Sequence, residues 1–130
     1  MLILNVDDDS DDREIFCDAV NTVDPQISCV QVESGISALQ LLDKSDTLPD
    51  YMFIDMNMPK MTGLECVRKI RCIPRFLGIR IVMYSTGITP NDQNHLSEMQ
   101  IECLAKQSRF SDLVSELRNL LLDKIQVLAK

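Results

Sequence analysis

Short apolar runs recur along the chain at 2–6, 27–32, 51–54, 80–85 and 101–105, reading LILNV, ISCVQV, YMFI, RIVMYS and IECLA. Most are continuous rather than alternating, which is how strands buried on both faces of a parallel sheet appear in sequence. The stretches between them are long enough for crossover helices and carry helix signals. Ser10 is placed to cap a helix whose first turn holds Asp11 and Asp12, favourable at the positive end of the dipole, with Ile15, Phe16, Ala19 and Val20 as its buried stripe. Ser34 and Gly35 lead into ISALQLLDK, Thr62 with Glu65 forms a capping box before CVRKI, and Thr89-Pro90 supplies a cap and a proline at the first helical position. A last helix over about 111–129 shows Leu113, Val114, Leu117, Leu120, Leu121 and Ile125 at helical spacing. Repeated strand–helix units predict an α/β fold, an open doubly wound parallel sheet of five strands with helices on both faces.

Composition narrows the class. The 130 residues are 45% hydrophobic and 25% charged with 4 Gly and 5 Pro, as expected of one folded domain over 1–130 with no output domain. No apolar run approaches the roughly 20 residues a membrane helix needs, and MLILNV lacks the basic flank of a signal peptide, so a cytoplasmic protein without membrane contact is expected. A net charge of −7 with no basic stripe disfavours direct nucleic-acid binding and favours protein partners. The five cysteines, Cys17, Cys29, Cys66, Cys72 and Cys103, include no C-x-x-C pair. They predict neither a disulfide framework nor a zinc site, and are expected as small core residues in a reducing compartment.

Ligands of an open parallel sheet bind beyond the carboxyl ends of its strands, where strand order reverses. The first run ends in Asp7, Asp8 and Asp9, the third in Asp55, the fourth in Ser85 and Thr86, and the fifth is followed by Lys106. The second ends in Val32-Glu33-Ser34 and is expected at an edge, away from the crevice. If Asp7 or Asp8 approaches Asp55, two carboxylates at about 4 Å repel by roughly 4 kcal/mol at an effective dielectric of about 20. A hard divalent cation offsets this, and a few carboxylates with a backbone carbonyl and waters suit Mg²⁺. Lys106 adds fixed positive charge and Ser85 a hydroxyl donor. Together these are parts of a phosphoryl-transfer site: a carboxylate nucleophile, a metal and donors aimed at the transferred oxygens. An N-terminal acidic cluster alone is more often a solvated cap region; the joint placement at four strand ends favours a site.

At this point the chain resembles, over essentially its whole length, the receiver domain of two-component response regulators. The resemblance rests on LILNVDDD, on IDMNMPKMTG with the D-x-x-M-P-x-x-x-G pattern, on IVMYST and on the lysine after the fifth strand. It implies a flavodoxin-like sheet of order 2-1-3-4-5 with five helices. It implies that Asp55 accepts phosphate from a phosphohistidine on a histidine kinase or phosphotransfer protein. Mg²⁺ would be bound by Asp8 directly, by Asp7 largely through water, by Asp55 and by the backbone carbonyl of Asn57. Ser85 corresponds to a switch hydroxyl and Lys106 to the lysine that pairs with the phosphate, the signal passing to a downstream protein.

The chain departs from the family at Lys106-Gln107, where Lys-Pro is usual, at Cys103, where a rotating Tyr or Phe is common, and at Met99-Gln100, where small residues are common. The competing classes are a pseudo-receiver that only binds partners and an aspartyl-phosphate phosphatase. The complete set of acids, hydroxyl and lysine opposes the first, and Asn57 in place of a second acid opposes the other. Asn57 and Gly87, two residues after Asp55 and Ser85, are expected beside the path of hydrolytic water. His95, the single histidine, is expected at the surface, and Asp9 takes no firm role.

Overall fold

All five apolar runs form strands. The computed structural model describes residues 1–129, with side chains described through Leu122. The chain runs β1 (Leu2–Val6), α1 (Ser10–Val23), β2 (Ser28–Val32), α2 (Gly35–Lys44), β3 (Tyr51–Ile54), α3 (Gly63–Arg71), a 3-10 turn (Pro74–Phe76), β4 (Arg80–Ser85), α4 (Pro90–Glu98), β5 (Glu102–Ala105) and α5 (Phe110–Ala129). The sheet is parallel throughout in the order β2-β1-β3-β4-β5, with β2 at an edge as expected.

Strand alternation divides the core in two. Ile3, Tyr51, Phe53, Val82, Tyr84 and Leu104 pack against Phe16, Ala19 and Val20 of α1 and Leu113, Leu117 and Leu121 of α5. Leu4, Val6, Met52, Ile54, Ile81 and Met83 point the other way, toward Ala38 and Leu42 of α2, Cys66, Val67 and Ile70 of α3 and Leu96 of α4. The first layer is aromatic, with the Phe16 ring 4.8 Å from Phe53 and 5.4 Å from Tyr84. Among the described residues no helix is long and apolar enough to cross a membrane.

The caps at Ser34, Thr62 and Thr89 form as the sequence predicts, including the reciprocal Thr62–Glu65 box. Other expectations need correction. The N-cap of α1 is Asp9, not Ser10, and its carboxylate accepts from the N–H groups of Asp11 and Asp12. The buried stripe is Phe16, Ala19 and Val20, and Ile15, one position before it, falls on the outer side of the helix and is exposed. Cys17 and Cys29 are joined in a disulfide, with Cα atoms 5.7 Å apart. Packing α1 across the β2 edge brings them within the reach of an S–S bond, a proximity no sequence spacing reveals. Of the remaining cysteines only Cys66 is buried, and Cys72 and Cys103 are exposed. Ile125 lies outside the described side chains.

The register carries the functional residues to one end of the sheet. Val6 pairs with Ile54 and Ile54 with Met83. One residue further, the Asp55 N–H donates to the Val6 carbonyl at 2.9 Å, the Asp7 N–H to Val32 at 3.1 Å and the Lys106 N–H to Ser85 at 3.1 Å. The ladder thus continues past each strand just far enough to fix the residues that follow.

Candidate functional site

Asp7 is 1% and Asp55 7% exposed, whereas Asp8 projects into solvent from the β1–α1 loop. Each of the three offers a carboxylate oxygen, and these oxygens lie within 4.8 Å of one another. The Ser85 hydroxyl donates to Asp55 Oδ1 at 3.0 Å, and the backbone N–H of Asn57 donates to the same oxygen at 3.3 Å. Lys106, its side chain 12% exposed, donates from Nζ to Asp7 Oδ2 at 2.8 Å and stands 3.6 Å from Asp55 Oδ2. Asp7, Asp8, Asp55, Ser85 and Lys106 therefore meet at one place, with Asn57 exposed beside it.

The charges are far from balanced. Burial pushes the Asp7 carboxyl up, and the Lys106 and Asp9 donors pull it only partway back. Burial pulls the Lys106 ammonium down, but its hydrogen bonds to Asp7 and Asp12, reinforced by the nearby charges of Asp7 and Asp55, more than reverse this, so the lysine stays protonated. One ammonium against this many carboxylates leaves excess negative charge around all-oxygen donors, a setting that fits a hard divalent cation.

The loop after β3 is shaped by Gly63. A Cβ there would stand 2.3 Å from the Asp55 carbonyl oxygen and 2.8 Å from Met56 Cα, so only glycine lets α3 start against the strand end. Its N–H donates to the Met56 carbonyl at 2.9 Å, Met56 and Met58 are buried, and Lys60 takes a left-handed φ of 67°. Gly87 has no atom within 4 Å of an ideal Cβ, so the site is open on the β4 side.

Several contributors escaped the sequence. Asp9 both caps α1 and donates its N–H to Asp7 Oδ1 at 3.0 Å. Asp12 accepts from Lys106 Nζ at 2.9 Å, and Arg13 donates to the Asp7 carbonyl at 2.8 Å. Tyr84 lies with its ring centroid 5.5 Å from Lys106 Nζ, its hydroxyl pushed up to about 12 by burial. The signal was present for Asp12, three positions past the cap, but a helix-dipole role accounted for it fully. No cis peptide occurs among the described residues, so the Lys106-Gln107 bond is trans. Cys103 is exposed on β5, Gln100 turns the chain into that strand at a φ of 59°, and His95 is exposed on α4.

A five-stranded parallel sheet in this order, with acids after β1 and β3 and a lysine after β5, defines a flavodoxin-like receiver fold. The response regulator receiver domain family model matches residues 3–118, and the chain belongs to that family, a signalling module of two-component systems rather than a catalytic enzyme. It is 36% identical over 87 residues to chemotaxis protein CheY1 of Helicobacter pylori, spanning 66% of this chain and 68% of that protein. It is 26% identical over 92 residues to the sensor histidine kinase CheAY of the same species, spanning 71% of this chain but only 11% of the kinase. Among solved structures, the phosphorylated cyanobacterial phytochrome response regulator RcpA is similar with a TM-score of 0.82 at 25% identity, over 92% of this chain and 90% of that one.

Proposed function

We propose that Asp55 accepts a phosphoryl group from a phosphohistidine on a histidine kinase or phosphotransfer protein, with Mg²⁺ as the metal. The observation that carries this reading is a buried carboxylate bonded to Ser85, 3.6 Å from the Lys106 ammonium and within 4.8 Å of two further carboxylates. Asp8, Asp55 and the Asn57 carbonyl would hold the metal directly and Asp7 through water; bound there, it supplies positive charge to the phosphoryl oxygens. The Asp55 carboxylate attacks phosphorus, an O–P bond forms as the N–P bond of phosphohistidine breaks, and the leaving imidazole takes a proton from solvent. Lys106 and Ser85 donate to the phosphoryl oxygens and hold the charge that arrives with them. The phosphorylated state is then read by a downstream protein, in the cytoplasm, with α4, β5 and α5 as the face that responds.

The likeness to CheY1 and to part of a sensor histidine kinase supports a partner of the kinase class. Asn57 in the position of a second acid argues against phosphatase chemistry. Incubation with acetyl phosphate, with and without Mg²⁺, followed by intact mass, tests the reading. A metal-dependent phosphoryl adduct that disappears in Asp55→Asn is expected. Its absence in the wild type would leave a module that works by binding alone.

A further inference from the structure

Lys106 has one more partner than phosphoryl transfer calls for. Its Nζ donates to Asp7 Oδ2 at 2.8 Å and to Asp12 Oδ2 at 2.9 Å, while Asp55 Oδ2 stands beyond hydrogen-bond reach at 3.6 Å. Asp7 suffices to hold the lysine at the site. The bond to Asp12 adds a competitor, anchored in the first turn of α1.

The two carboxylates that hold the lysine differ in burial. Asp7 is 1% exposed on its side chain and Asp12 40%. An ion pair whose carboxylate faces water is screened and weak, whereas a buried carboxylate stripped of its cation is costly. When a new anion appears beside Lys106, the Asp12 bond is the one that breaks first.

We propose that Asp12 is a positioning residue, restraining Lys106 in the unphosphorylated protein and releasing it as a phosphoryl group arrives on Asp55. The inference rests on the phospho-acceptor reading of Asp55. It gives α1 a stake in the reaction: the first turn of the helix is tied to the lysine in one state and freed from it in the other. Asp12 lies outside the carboxylate triad that could hold a metal, so its action runs through Lys106.

The test is the rate of adduct formation with acetyl phosphate at saturating Mg²⁺, followed by intact mass in wild type, Asp12→Asn and Asp12→Glu. Removing the competing charge should raise the rate roughly three- to fivefold. Asp12→Glu, which keeps the carboxylate, should return the rate toward the wild type. Added salt should accelerate the wild type by weakening the exposed pair, and should not accelerate Asp12→Asn. A loss of helix alone would not produce that salt difference, and Asp12→Ser carries the same expectations should Asp12→Asn fold poorly. An equal or slower rate in Asp12→Asn, or an unchanged salt response, overturns the role of Asp12 while the adduct itself upholds Asp55. No adduct on the wild type sinks both.

Discussion

The loop after β1 is held by polar contacts, and the loop after β3 by packing. In the first, Asp7 takes an N–H from Asp9 and an ammonium from Lys106, Asp9 caps α1, and Arg13 reaches back to the Asp7 carbonyl. In the second, buried Met56 and Met58 pin the backbone, and Gly63 closes against the Asp55 carbonyl. The first loop is therefore sensitive to charge and to bound ions, and the second to volume. Asp55, the proposed acceptor, stands at the head of the packed loop, where Gly63 and the buried methionines fix its backbone.

Substitutions can break that contrast. The largest effect is expected for Gly63→Ala, since the added Cβ meets backbone that has no room to yield. A loss of about 3 kcal/mol is expected in urea unfolding, with adduct formation impaired as the Asp55 loop shifts. A loss under about 1 kcal/mol would show the packed loop to be soft. Asp9→Ala removes the α1 cap and should cost about 1 kcal/mol, whereas Asp9→Asn, which still caps, should cost little and leave divalent-ion binding intact.

Asp7→Asn should act in the opposite direction. Because burial raises the Asp7 pKa in the folded state, its favourable contribution is complete below the ordinary value of 3.8 and is lost as pH rises through the folded value. At neutral pH, with divalent ions chelated, the variant should be more stable than the wild type. Added Mg²⁺ should then stabilise the wild type more than the variant, and thermal melts with and without the ion would expose an incorrect sign. The smallest structural effect is expected at Gly87, which has nothing within 4 Å of its Cβ position. Gly87→Glu should change unfolding by less than about 0.5 kcal/mol yet alter adduct dephosphorylation several-fold, by occupying the open side of the water path. An unchanged dephosphorylation rate would remove Gly87 from the account.

The central strands β1, β3 and β4 were legible in the chain because burial on both faces leaves short continuous apolar runs, set apart here by the helix caps between them. The strand-end residues Asp7, Asp8, Asp55, Ser85 and Lys106 could be gathered on paper because a parallel sheet puts all carboxyl ends on one side. What failed depended on angles or on tertiary approach. Asp9 and Ser10 are both good caps, and only the backbone decides between them. The Cys17–Cys29 bond and the Lys106–Asp12 pair join residues 12 and 94 positions apart through the packing of α1. The aromatic layer around Phe16 was likewise invisible as a layer, since its members are spread over α1, β3 and β4.

The pairing of Val6 with Ile54 sets a length scale. Adjacent parallel strands run about 4.8 Å apart whatever their side chains, so acids one step past each strand emerge as close neighbours. The backbone lattice acts as a ruler, and the chain needs only to stop each strand on the right residue. A one-residue slip of β3 against β1 would leave the composition of the site untouched while withdrawing Asp55 from its neighbours, which makes strand register a determinant of the carboxylate cluster as much as of the fold.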